Sequence, residues 1–314
     1  MNNSNSKAFL LILLGMLTAF GPFVTDMYLP ALPAMAGYFA TSSSMVQMGL
    51  TTSMIGLAVG QLFFGPLSDK YGRRKPLLAA MWLFIGSTLF CLFARDIHQF
   101  VALRFIQGVA GSGGIVISRS VATDKFSGAD LGRMLALIGA INGVAPVAAP
   151  LIGGAPCDRI GWHGTFCLPP ATGALLLARS YRFRESLPAA RRNAVAWGDI
   201  LRNFGSVLHN RQYAAYVLQF AFAQGVLFAY IASSPFIIQE HFGFSTFTFS
   251  LCFALNAVAI GCAAALAVRF HHPEQGTRTG CIGMIGFAAA EAAAMALGCN
   301  FWIYEGLLIG LLFS

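Results

Sequence analysis

Four ionisable residues sit where hydrocarbon is expected. Asp26, Arg104, Glu291 and Glu305 each lie inside an apolar run. A charge at the centre of a bilayer costs roughly 2.5–3.5 kcal/mol on insertion scales, so each of these residues needs a reason to be there. A carboxylate in that setting can take up and release a proton, or hold a cationic ligand. Asp26 is the foremost candidate, because Pro30 and Pro33 follow it and an interrupted helix inside a membrane implies a cavity. A helix-end Asp at the headgroups is the plainer alternative. Arg104, with Gln107 one turn on, keeps its charge and cannot donate a proton for coupling. Its chemistry would be electrostatic, acting on a nearby carboxylate; the alternative is an arginine snorkelling to the surface. Glu291, in "GFAAAEAAAMALG", and Glu305, in "NFWIYEGLLIG", are candidates for a second proton site.

A fifth feature has the opposite character. Asp69, Lys70, Arg73, Arg74 and Lys75 place five charges in seven residues, between two apolar runs. Gly65 and Pro66 are expected to end the helix before this knot, since proline interrupts the backbone ladder. Gly72 permits a tight turn. Asp69 can pair with Arg73 or cap the next helix.

The elements that hold these groups follow from composition. Of 314 residues, 57% are hydrophobic and 10% charged, against about 25% charged in a soluble domain. So little charge cannot cover a water-facing surface, and the chain reads as an all-α integral membrane protein. Apolar runs fall near 8–34, 46–67, 76–94, 98–118, 134–154, 162–178, 213–238, 246–268 and 279–298, and another starts at Phe301. That predicts nine complete transmembrane helices and a partial tenth. The first run is too long for a signal peptide. The sixth contains Pro169 and Pro170, which predict a kink or a break.

Placing the N-terminus in the cytoplasm puts seventeen of the twenty Lys and Arg on that side, as the positive-inside rule requires. The net charge of +8 then reflects topology and anionic lipid rather than nucleic acid. Arg179–Arg211 is the one long polar stretch. It divides the chain into a six-helix part, 1–178, a basic cytoplasmic linker, 179–211, and the remaining helices, 212–314. The seven Cys form no CxxC pair and read as small apolar residues. His271 and His272, near Glu274, read as a solvated loop rather than a metal site. No HExxH, GxSxG or GxxxxGK pattern occurs, so neither an enzyme nor a cofactor is expected.

The knot's residue order, G-P-L-S-D-K-Y-G-R-R-K, resembles the signature loop of the major facilitator superfamily, G-x-x-x-D-[RK]-x-G-[RK]-[RK]. Gly65, Asp69, Lys70, Gly72, Arg73 and Arg74 fill every defined position, between the second and third runs. The resemblance implies a major-facilitator-type helical bundle. It also implies that this loop is a conformational latch, locking the cytoplasmic faces of two halves together when the carrier opens outward. "TDMYLPALPAM" (Thr25–Met35), "RFIQGVAGSGG" (Arg104–Gly114) and "FAYIASSPFIIQEHFG" (Phe228–Gly243) resemble the bicyclomycin-resistance subgroup of drug:proton antiporters. "NGVAPVAAPLIGG" (Asn142–Gly154) resembles the antiporter motif G-P-x-x-G-G: Pro150, Gly153 and Gly154 match, and Ala149 replaces the first glycine.

From the subgroup, Asp26 is implied as a cavity carboxylate. Arg104, Gln107 and Gly108 match a pattern, R-x-x-[QH]-G, linked to proton coupling. Gln61, Asn142, Gln219, Gln224 and Asn256 are candidates for interhelical hydrogen bonds or a substrate path, and Phe20, Phe23, Tyr28, Phe228 and Tyr230 for an aromatic wall. The function implied is proton-coupled export of drugs or other small amphipathic compounds across a bacterial inner membrane, by alternating access. An importer or facilitator on the same fold is the alternative. The family plan has twelve spans and this sequence reaches ten, so a truncated, non-transporting fragment is the third reading. Substrate identity and oligomeric state stay open.

Overall fold

A computed structural model describes residues 6–192, 202, 205, 209–267 and 273–313. His271 and His272, Arg269 and most of the 179–211 stretch beyond Arg192 lie outside the described residues. The described chain is helical throughout, and it contains no strand.

The first apolar run is not one helix. It is α1 (Lys7–Thr18), α2 (Phe20–Thr25), a 3-10 turn (Leu29–Ala31) and α3 (Leu32–Tyr38). Pro22, Pro30 and Pro33 each lack the backbone N–H that a continuous ladder needs, and the chain steps sideways at the gaps. Asp26 sits at one of these steps, as the residue that ends α2.

Then follow α4 (Ser43–Tyr71), α5 (Arg74–Leu92), α6 (Ile97–Lys125), α7 (Gly128–Ile160) and α8 (Trp162–Arg182). Two helix breaks expected at proline do not occur here. α4 runs through Gly65 and Pro66 to Tyr71, and α8 runs unbroken through Pro169 and Pro170. Proline removes one hydrogen bond from a helix. In hydrocarbon the alternative, a stretch of open backbone, costs more, so an embedded helix absorbs a proline that would end a soluble one. Past Arg182 come α9 (Arg211–Phe236), closed by a π-turn (Ile237–His241), then α10 (Thr246–Ala267), α11 (Pro273–Ala296) and α12 (Phe301–Phe313). Among the described residues, eight segments are long and apolar enough to cross a membrane. α8, less apolar, has 21 residues, which at about 1.5 Å per residue also matches a bilayer core. Large apolar side chains such as Phe90, Phe93, Phe222, Ile285 and Trp302 face outward. Such a belt would be a liability in water and is natural against lipid.

α4 lies along α6, with α5, α7 and α8 packed beside them. Gly56, Gly60 and Gly108 let the two long helices approach to backbone contact. Two apolar cores result. The one near the charged loop, which includes Leu13, Phe20, Phe64, Phe84, Ile117 and Phe183, draws only on helices up to α8 and the residue after it. The other, at the far end, is shared. It joins Tyr28, Phe100 and Phe166 to Tyr230, Phe249, Phe253, Phe301 and Tyr304. Three hydrogen bonds tie the two helix sets together at this same far end. Gln47 Nε2 donates to the Ala232 carbonyl at 3.0 Å, Gln239 Nε2 to that of Pro30 at 3.1 Å, and Ser250 Oγ to that of Pro150 at 3.1 Å.

Candidate functional site

A cavity of about 610 Å³ lies between the two helix sets, on the charged-loop side of those contacts. Its first wall is built from α2, α4 and α7: Gly21, Pro22, Thr25, Asp26, Met54, Leu57, Ala58, Gln61, Gly143 and Pro146. Its second is built from α9 and α10, chiefly Gln224, Leu227, Phe228, Tyr230, Ile231 and Phe253. The surface is mostly apolar, with one ionisable carboxyl group. Asp26 is only 4% exposed, and its Oδ1 has no hydrogen-bond partner in the protein. A buried oxygen left unpaired is costly, which marks the group as one held ready for a ligand or a proton. The cavity thus contains Asp26, Gln61, Gln224, Phe228 and Tyr230 from the sequence candidates. Phe20 and Tyr28 are elsewhere: Phe20 packs on Phe84 at 4.5 Å between ring centres, and Tyr28 packs on Phe166 at 5.7 Å.

Arg104 does not snorkel. It is 1% exposed and lies behind the Asp26 segment instead of in the cavity. Its Nη2 donates to the Val24 carbonyl at 2.5 Å and to Ser53 Oγ at 3.2 Å, and its Nη1 donates to Gln107 Oε1. Gln107 Nε2 passes the chain on to Thr88 Oγ1 at 2.7 Å. The guanidinium also sits 4.0 Å from the Tyr28 ring centre, a favourable cation–π position. Val24 and Tyr28 flank Asp26 two residues away on each side. Arg104 therefore braces the break that presents the carboxylate, and among the described residues no ion pair joins the two.

The antiporter-motif residues supply the matching support from α7. Pro150, Gly153 and Gly154 are buried. A Cβ on Gly153 would stand 1.8 Å from the Met27 carbonyl oxygen, and one on Gly154 would stand 2.5 Å from Ser250 Oγ on α10. The two glycines let α7 touch the broken segment on one side and the second helix set on the other.

Glu291 on α11 is half-buried and lines no part of this cavity. Its neighbours are Tyr304 and Glu305 of α12.

At the charged loop the positions match the sequence reading and the partners exceed it. Gly65 lies within α4. Lys70 is exposed, over the Tyr71 ring. Gly72 has φ +85°, the left-handed turn that glycine favours. Arg73 donates from Nη1 to Asp69 Oδ1 at 2.5 Å and to Ser68 Oγ at 2.8 Å, and from Nε to Asp124 Oδ2 at 2.9 Å. Burial alone would press its proton off, but the bonds to Asp124 and Asp69 outweigh this and hold the guanidinium more firmly charged than usual. Arg74 Nη2 donates to the Tyr181 carbonyl at 2.8 Å. The carboxylate of Glu185 accepts from the backbone N–H groups of Arg73, at 2.8 Å, and of Arg74, at 3.2 Å. It therefore caps the start of α5, where the side chain of the N-cap residue, Arg73, makes no capping bond itself.

Asp124 and Glu185 were not among the sequence candidates. The signals were faint: a single acid in "VATDK" at the end of a span, and a single acid in the basic "RFRESLP".

Comparison with known proteins places this architecture. Residues 11–314 match the family model described as Major Facilitator Superfamily. The chain belongs to the Major Facilitator Superfamily. Within it, the chain is 41% identical over 254 residues to an uncharacterized MFS-type transporter, YdgK, of Bacillus subtilis (strain 168), covering 80% of this chain and 63% of that protein. It is 30% identical over 271 residues to a bicyclomycin resistance protein homolog of Haemophilus influenzae, covering 86% of this chain and 68% of that one. It is 28% identical over 236 residues to a chloramphenicol resistance protein of Pseudomonas aeruginosa, covering 75% of this chain and 55% of that one. Thus the chain spans about two thirds or less of the length of these superfamily relatives. Among solved superfamily structures, a D-xylose–proton symporter superposes with a TM-score of 0.75 at 16% identity, covering 98% of this chain and 80% of that one. An inward-facing bacterial homolog of the human lysosomal transporter Spinster gives 0.77 at 18% identity, covering 98% and 73%. These last two matches establish the fold.

Proposed function

We propose that this protein is a proton-coupled exporter of small amphipathic or cationic compounds, working by alternating access across a bacterial inner membrane. One observation carries the reading. Asp26, buried and with its Oδ1 unpaired, faces a cavity of about 610 Å³ between two helix sets, and that volume suits a drug-sized molecule. A proton and a cationic cargo then compete for one carboxylate, so uptake of one expels the other. One proton moving inward through 100 mV supplies about 2.3 kcal/mol.

The moving units are residues 1–178 and 212–314, joined by the 179–211 linker. With the N-terminus in the cytoplasm, the state described is inward-open, because the shared core and the three joining bonds lie at the external end. In this state the Asp69–Arg74 latch is closed upon α6 and Glu185. It re-forms against the second unit when the cavity turns outward. Arg104 and Gln107 hold the Asp26 segment in place and set its electrostatic surroundings. Pro150, Gly153 and Gly154 form the α7 seam on which the units rock. The resistance proteins among the relatives support an export direction over import.

The experiment uses everted membrane vesicles containing the full chain. Asp26→Asn is expected to abolish efflux driven by a pH gradient while insertion and expression stay normal. Unchanged gradient-driven efflux in that variant removes Asp26 from the mechanism, and accumulation in the opposite direction by the unaltered chain replaces export with import.

A further inference from the structure

A second carboxyl group lies behind the opposite wall of the cavity, and the reading above leaves it without a role. Glu305, in the second turn of α12, is 4% exposed, and neither carboxyl oxygen has a hydrogen-bond partner. The amide of Asn256 on α10 is next to it. Asn256, 0% exposed, donates from Nδ2 to the Tyr230 hydroxyl at 3.1 Å, while its Oδ1 also has no partner. Tyr230 in turn lines the cavity and stacks on Phe253, their ring centres 5.6 Å apart. Two neighbouring buried side chains thus carry three oxygens without a partner. Leaving several buried polar atoms unsatisfied is expensive, and native cores rarely do so without a purpose.

One hydrogen resolves much of the deficit. A protonated Glu305 donates its O–H to Asn256 Oδ1, and Asn256 keeps its bond to Tyr230. An ionised Glu305 has no hydrogen to give and can only accept, from Asn256 Nδ2. The titratable groups acting on this cluster are Tyr304 of the same helix, Tyr230 of α9, Cys252 of α10 and Glu291 of α11.

We propose that Glu305 is a second proton-binding site of this carrier, read out at the cavity wall through Asn256 and Tyr230. The proton leaves the Glu305 O–H bond for water in the cavity, and the electron pair stays on the carboxylate. The ionised group then requires a donor. Asn256 supplies one by turning its amide over, which puts Oδ1 in place of Nδ2 beside Tyr230 and converts that hydroxyl from acceptor to donor at the cavity wall. Asp26 and Glu305 thereby face one cavity from its two walls, one directly and one through an amide switch. The inference rests on the carrier reading above and adds a site on the other helix set.

Infrared difference spectroscopy of the purified full chain, titrated from mildly acidic to alkaline pH, tests this through the carbonyl stretch of protonated carboxyl groups. Glu305→Gln, nearly isosteric with the protonated acid, is expected to remove one titrating carboxyl band. Asp26→Asn is expected to remove a different one. Glu305→Asp is expected to keep a band at a shifted frequency, since the shorter side chain draws away from Asn256. Asn256→Leu is expected to shift the Glu305 band towards that of a carboxyl group without an acceptor. A carboxyl spectrum that Glu305→Gln leaves unchanged overturns the proposal, as does a Glu305→Asp band that does not move. If Asp26→Asn removes nothing and Glu305→Gln removes a band, the Asp26 reading fails and this one stands. The reverse result sinks this one alone.

Discussion

Charge is handled in two contrary ways within this molecule. At the knot between α4 and α5, Arg73 meets Asp69, Ser68 and Asp124, and Glu185 collects backbone N–H groups from two segments. In the cavity wall and just behind the opposite one, Asp26 and Glu305 are buried more deeply than the knot's acids, yet carboxyl oxygens on both go unpaired. The first arrangement holds one shape, because its carboxylates and the Arg73 guanidinium are already paired. The second lacks something, and what completes it must arrive as a proton or a ligand. The contrast separates structural charge from working charge with no appeal to position in a motif.

Substitutions can break or sharpen that contrast. The largest effect is expected at Asp26. Asn there should reduce gradient-driven efflux to the level of vesicles lacking the protein, while melting temperature holds or rises, because an unsatisfied buried acid has gone. A marked fall in melting temperature in detergent would put Asp26 with the structural charges. Arg73→Ala should do the opposite and lower stability by roughly 3 kcal/mol, since it strands Asp124 without its cation. Thermal unfolding measures it, and Arg73→Lys should recover only part of the loss because it lacks the two-pronged fork. Gly153→Ala comes next. A methyl group pressed onto the Met27 carbonyl should cost about 1–3 kcal/mol and also impair transport, by shifting the segment that carries Asp26. Parallel melting and efflux measurements would show whether the two losses travel together. Smallest is Lys7→Gln, which breaks the exposed pair with Asp130. No resolvable change in melting temperature is expected, since such pairs contribute little in water.

The sequence made the helices and their order legible because apolar length is a one-dimensional property. It also made Asp26 legible, since a lone acid among apolar residues, two prolines close behind, is visible in a string of letters. Proline was misleading at Pro66 and at Pro169–Pro170, where the surrounding lipid reverses its usual effect. It was informative at Pro30 and Pro33, where the chain does break. The partners of Arg73 were hidden because Asp124 and Glu185 come from distant parts of the chain and only folding brings them to it. Arg104 could be read as buried or snorkelling, and only the bonds to Val24 and Ser53 decide between these. For Glu305 the letters offered a carboxylate in an apolar run, equally consistent with a helix end. Its pairing with Asn256 depends on how α10 faces α12, which no local pattern encodes.

The far-end core, where Tyr28, Phe100 and Phe166 meet Tyr230, Phe249, Phe253 and Phe301, has a consequence for handling the protein. It is a contact sealed by oil, whereas the loop at the other end is held by ions. Oil seals slacken on cooling, and ionic ones loosen with added salt wherever they reach solvent. Temperature and ionic strength are therefore separate levers on the two ends of the molecule: chilling should loosen the aromatic contact between the helix sets, and salt the exposed part of the charged loop.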